Sequence, residues 1–189
     1  MKGSGTSAPE GKRKGRFPAL FQVFLAAGLL ALIYLSFGQN VLFSQKSGIP
    51  SKLEGLELVS NVKGDEALAQ ISRLHGGDIA LTEANILRYT HKNPYHNENS
   101  AVTVWIGKAQ SPTAASQLLQ SMTDGITKGN SGFGNLQKIS IDVQELLKVD
   151  GPGGNHYFYI PRHAPDKVVW LAIQNADDTK ILETAVKVF

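Results

Sequence analysis

Cysteine does not occur among the 189 residues, which excludes disulfides, thiolate metal sites, cysteine nucleophiles and an acylated lipobox cysteine. No Asn-x-Ser/Thr acceptor is present either, which leans toward a prokaryotic envelope rather than a glycosylating secretory pathway. A Gly-x-Ser-x-Gly elbow, a kinase-type motif set and a His-Glu-x-x-His helix are all missing, so nucleophilic, phosphoryl and zinc-protease chemistry have no motif to start from. The fold must rest on its apolar core alone.

Charge is missing altogether from one long stretch. Phe17 to Phe37 spans 21 residues without an Asp, Glu, Lys or Arg, and as a helix it would extend about 31 Å, the thickness of a bilayer's hydrocarbon core. Of the 19 basic residues, Lys2, Lys12, Arg13, Lys14 and Arg16 precede it, against the single acid Glu10. Excess Lys and Arg stay on the cytoplasmic side, and Tyr34 suits the outer interface. The expectation is a signal-anchor helix at 17–37, a basic cytoplasmic tail at 1–16, a stalk at 38–52 and an extracytoplasmic domain at 53–189. Ser36-Phe37-Gly38 offers a rival reading as a signal-peptidase site, but the apolar run exceeds the ~7–15 residues of a secretory h-region.

Removing the tail also removes the basic character. Fourteen Lys and Arg then face 15 of the 16 acids, so the domain is close to neutral and lacks the electrostatic footprint of nucleic-acid binding. The expected partners are membrane lipid, through the anchor, and an envelope protein; no cofactor is expected.

Periodicity points to an α+β domain. Asp65 to Leu74 reads as an amphipathic helix ended by His75-Gly76-Gly77, with acids at its positive end. Ser111 as N-cap and Pro112 at the first turn open a second, with Ala115, Leu118, Leu119, Met122 and Ile126 on one face. A third opens at Asn175 to Asp178 and carries Ile181, Leu182, Ala185, Val186 and Phe189. Strands are expected at 84–91, 101–108, 139–143, 146–149, 156–160 and 168–173, forming a mainly antiparallel sheet with the three helices on one face.

The two halves show partial likeness: Ile79-x-Leu81-x-Glu83 recurs as Ile141-x-Val143-x-Glu145, and Trp105 recurs as Trp170. This pattern is expected of an internal duplication of helix-strand-strand-helix units sharing the middle helix.

Candidate chemistry centres on histidine. His91 and His96 flank one turn, and His156 and His163 flank another, so a duplicated fold would place imidazoles comparably as metal ligands. The spacings match no specific metal signature, and a solvated loop histidine is the commoner case. Glu83 and Glu145 recur between the halves and are candidates to bind a substrate or serve as an acid and base pair. Asp65-Glu66 and Asp177-Asp178 read as helix caps. The run 129–134 has a phosphate cradle's composition but follows a helix and precedes a strand, the reverse of what a cradle needs; it reads as a joint between halves. Tyr157 and Tyr159, alternating with Phe158, leave one face for the core and one as an aromatic platform for a ligand.

The function expected is therefore a membrane-anchored binding or assembly module, acting through a sheet face or the loop at 94–99. The alternatives are a metal- or carboxylate-dependent envelope enzyme and an extracytoplasmic ligand sensor.

Overall fold

The computed structural model describes residues 48–91, 100–129 and 131–189. The expected tail, the anchor at Phe17 to Phe37, most of the stalk, His96 and the 94–99 loop lie outside them. No helix among the described residues is long and apolar enough to cross a membrane.

Eight strands form one antiparallel sheet: β1 (Lys52–Leu53), β2 (Leu56–Lys63), β3 (Glu83–Thr90), β4 (Ala101–Lys108), β5 (Gly134–Ile141), β6 (Gln144–Gly151), β7 (Gly154–Tyr159) and β8 (Lys167–Gln174), in the order β1-β2-β3-β4-β8-β7-β6-β5. Among the described residues three helices, α1 (Asp65–His75), α2 (Pro112–Thr127) and α3 (Asp178–Val188), accompany the sheet. The α+β architecture with a mainly antiparallel sheet is as expected.

Helix ends form where the local chemistry places them. The Ser111 hydroxyl accepts from the Ala114 amide at 3.1 Å with Pro112 in the first turn, and Asp177 accepts from Thr179 and Lys180 amides at 3.1 and 3.4 Å. Gly76 ends α1 in the left-handed conformation, with its amide and that of Gly77 returning to the Arg73 and Ser72 carbonyls.

The helices do not share one face, which corrects the expected layering. Val102, Val104 and Ile106 of β4 and Val169, Leu171 and Ile173 of β8 pack with Ile181, Leu182 and Ala185 of α3 and with Phe189 just after it. The intervening Trp105 packs with Ala67 and Ile71 of α1, Val168 with Ala115 of α2, and Phe158 and Trp170 with Ile126 of α2. Successive strand residues point to opposite sides, so α3 covers one face while α1 and α2 cover the other. Ile49 packs on the α3-side core and the Pro50 carbonyl accepts from Tyr89 at 3.0 Å, so packing reaches back into the segment expected as stalk.

The duplication also fails in the form expected. Trp105 and Trp170 are direct cross-strand partners at the centre of the sheet, but α1 is inserted between β2 and β3 whereas β6 and β7 join through a tight turn. The helices that follow the two tryptophans lie on opposite faces. The Ile-x-aliphatic-x-Glu likeness joins a loop leading into β3 with the β5–β6 turn, elements that occupy unrelated places.

Two strands went unforeseen, the two-residue β1 and the longer β2. In β2 the pairing register slips between Leu58 and Ser60, a bulge that moves the apolar positions from Leu56 and Leu58 on the α3 side to Val62 on the α1 side. The alternation breaks mid-strand, so the period that marks a strand is absent.

Candidate apolar-ligand site

A cleft of about 360 Å³ lies between α1 and α2, within the size range of small-molecule sites. Ile71, Leu74 and His75 of α1 form one wall, and Leu118, Ser121, Met122, Gly125 and Ile126 of α2 the other. Trp105 and Gly107 of β4, Val168 and Trp170 of β8 and His156 of β7 supply the floor. Ile79 and Leu81 close one side, Ser131 and Phe133 the other. No Asp, Glu, Lys or Arg occurs among these residues.

The polar ring atoms of two floor residues, His156 and Trp170, are consumed internally. His156, 1% exposed, accepts the Trp170 Nε1–H on Nδ1 at 3.0 Å and donates from Nε2 to the Pro152 carbonyl at 3.1 Å. A carbonyl can only accept and an indole N–H can only donate, so these two bonds select the neutral Nε2–H tautomer. Burial pushes the His156 pKa below its usual value, opposed by the Pro152 bond. Phe158 stacks on Trp170 at 4.6 Å, and Phe133 meets Trp170 and His156 edge-on at 5.2 and 4.9 Å. The result is an aromatic block with its hydrogen-bonding capacity satisfied.

Two glycines shape the surroundings. A side chain on Gly151 would collide with the Phe133 ring, so β6 needs a glycine there to let Phe133 reach the block. Gly125 lies inside α2 with nothing within 4 Å of the position a Cβ would take; its lack of a side chain leaves open space along the wall.

No family model, curated protein or solved structure matches the chain. The site is therefore read from its own geometry.

Among the described residues, His91, His156 and His163 do not converge. His91 follows β3 at the sheet end where Thr90 pairs with Ala101, whereas His163 lies in the turn before β8, at the end where Lys108 pairs with Lys167. His156 is on the covered face of β7. Among the described residues no group of three or more His, Asp or Glu side chains is placed to hold a metal ion.

Glu83 and Glu145 are likewise apart. Glu83 is on β3, on the side of Leu87 and α3, and pairs with Lys108 at 2.9 Å. Glu145 is on β6, on the side of Val149 and α2. Four strand spacings, about 19 Å, and the sheet itself separate them, so they form no acid and base pair.

Tyr157 and Tyr159 are 3% and 1% exposed, and Phe158 is wholly buried. Both faces of β7 are core, so the expected aromatic platform is not on the surface. The Tyr157 hydroxyl donates to Asp178 at 2.6 Å and the Tyr159 hydroxyl to the Ala185 carbonyl at 3.2 Å. Asp178 also accepts from Asn155 at 2.6 Å, so the second acid of the expected cap pair ties α3 to β7. Burial raises the pKa of both tyrosines, and for Tyr157 the Asp178 carboxylate adds to the rise.

The sequence marks Trp105 and Trp170 only as a repeated pair and shows the apolar faces of α1 and α2, but it places neither tryptophan in a site and does not show the cleft. Phe133 and Gly125 were missed as site residues. The one available signal was Phe133 itself, an aromatic set in an otherwise glycine-rich joint.

Proposed function

We propose that the chain is a single-pass, membrane-anchored binding module whose extracytoplasmic domain accepts an apolar ligand in the cleft between α1 and α2. The observation that carries this reading is a cleft of about 360 Å³ lined by no Asp, Glu, Lys or Arg, with two tryptophans on its floor. Water held there would find few polar partners, so its displacement by an apolar ligand is favourable.

The uncharged run at 17–37 and the preceding basic tail support an anchor with its N-terminus in the cytoplasm. An envelope protein partner remains part of the proposal, because a domain with no catalytic constellation among its described residues acts by what it holds.

The test uses the full-length chain. Carbonate extraction of membranes should leave the protein in the pellet with residues 1–38 retained by intact mass. Titration with the neutral fluorophore N-phenyl-1-naphthylamine should give saturable emission, one site per chain. A protein released by carbonate overturns the anchor, and the absence of saturable binding overturns the cleft as a ligand site.

A further inference from the structure

We infer that the ligand of this cleft is a single unbranched hydrocarbon chain, the acyl chain of a membrane lipid, passing along the wall that Gly125 leaves open. The inference rests on the cleft being the binding site and adds the chemical class of what it holds.

Three observations select a hydrocarbon over other apolar ligands. The first is the state of the polar groups. His156 and Trp170 satisfy each other and Pro152, the Ser121 hydroxyl donates to the Gln117 carbonyl at 2.9 Å, and Ser131 accepts from the Phe133 amide at 3.4 Å. The backbones of β4 and β8 are paired with each other through the floor. A peptide or glycan entering here would bury many amides or hydroxyls against a mainly apolar lining in which the His156, Trp170 and Ser121 donors are already committed, at about 1–3 kcal/mol for each unsatisfied group. An alkyl chain has nothing to leave unsatisfied.

The second is volume. Counting a methylene as roughly one water-sized element of about 30 Å³, the 360 Å³ cleft takes about a dozen carbons. That matches much of one acyl chain. Leu74, Leu118 and Met122, unbranched at Cβ, line it, and Met in particular adapts its shape to a flexible occupant.

The third is Gly125. Glycine inside a helix costs about 0.5–1 kcal/mol relative to alanine, and here no neighbour would resist a side chain. Packing within the domain therefore does not require the glycine; keeping the wall open does. Ser121 and His75, both exposed, stand at the rim, with His75 Nδ1–H committed to the Ile71 carbonyl at 2.9 Å and Nε2 its remaining polar atom. These rim groups suit the polar end of the lipid.

Trp105 and Trp170 are the only tryptophans in the chain, and both line the cleft, so the protein carries its own reporter. The full-length chain in lipid nanodiscs is titrated with 12-bromododecanoic acid, and in a second arm with a phosphatidylcholine brominated on one acyl chain. Saturable quenching of tryptophan emission at one chain per protein is expected in both arms. Gly125→Leu should weaken it by at least about tenfold while the melting temperature stays the same or rises; Ser121→Phe, at the exposed rim, serves where Gly125→Leu does not fold. Quenching by the free acid alone overturns the lipid as source. Quenching that neither saturates nor responds to either variant reports partition into the nanodisc and overturns the inference. N-phenyl-1-naphthylamine binding without bromoacyl quenching overturns the hydrocarbon class while leaving the apolar site standing; failure of both probes overturns the two readings together.

Discussion

His156 shows how much one buried side chain decides. Its two ring nitrogens are committed in opposite senses, so adding a proton at Nδ1 would set it against the Trp170 N–H. With the folded-state pKa lowered, the unfolded chain binds the proton more readily. The contribution to stability is therefore complete above the unfolded pKa near 6.5 and is lost as pH falls through the folded value. Urea midpoints measured from pH 8 to 5 should fall below pH 6.5, with a slope of at most about 1.4 kcal/mol per pH unit, and His156→Leu should flatten that dependence. At Gly125 the prediction has the opposite sign: Gly125→Ala should stabilise the domain by about 0.5–1 kcal/mol, read as a melting temperature higher by a few degrees. At Tyr157 the hydroxyl serves a carboxylate, so Tyr157→Phe should cost about 1.5–3 kcal/mol in denaturant unfolding.

At the scale of elements, the helices were legible and the strands partly so. Ser111-Pro112, Asp177 and Gly76 act within a few residues of themselves, and capping chemistry is written wholly in local sequence. Ser111→Ala should cost about 1 kcal/mol in thermal unfolding. Strand β4 matches its expected limits of 101–108 because Val102, Val104 and Ile106 alternate visibly with Thr103 and Trp105. β2 was missed because its bulge reverses the alternation partway along. Ser131 to Phe133 precede β5, and Phe133 is pinned into the aromatic block. Gly151→Ala should therefore displace Phe133, lower stability and alter tryptophan emission through the lost edge contact with Trp170; unchanged emission would sink the proposed role of Gly151.

At the scale of the molecule, the α3-side core takes residues from both ends of the domain: Leu53, Leu56 and Leu87 join Leu146, Leu171 and Phe189, and Thr184 donates to Glu54. Residues 48–129 alone should show no cooperative unfolding by circular dichroism, and residues 48–189 should unfold in one transition by both circular dichroism and tryptophan emission; a cooperative 48–129 fragment would refute that coupling. Sequence by itself determined the α+β class, the helix limits, the neutrality of the domain and the apolar stripes, because each depends on spacing and charge along a few residues. It could not assign sides. β8 is apolar almost throughout, Val168 to Ile173, since a central strand covered on both faces shows no alternation, and nothing local says whether α3 joins α1 and α2 or crosses over. Tertiary structure alone decided that α3 takes the opposite face, that Glu83 and Glu145 are separated by the sheet, and that a cleft lies between α1 and α2 over Trp105 and Trp170. An amphipathic period specifies that a face must be buried; only packing specifies against what.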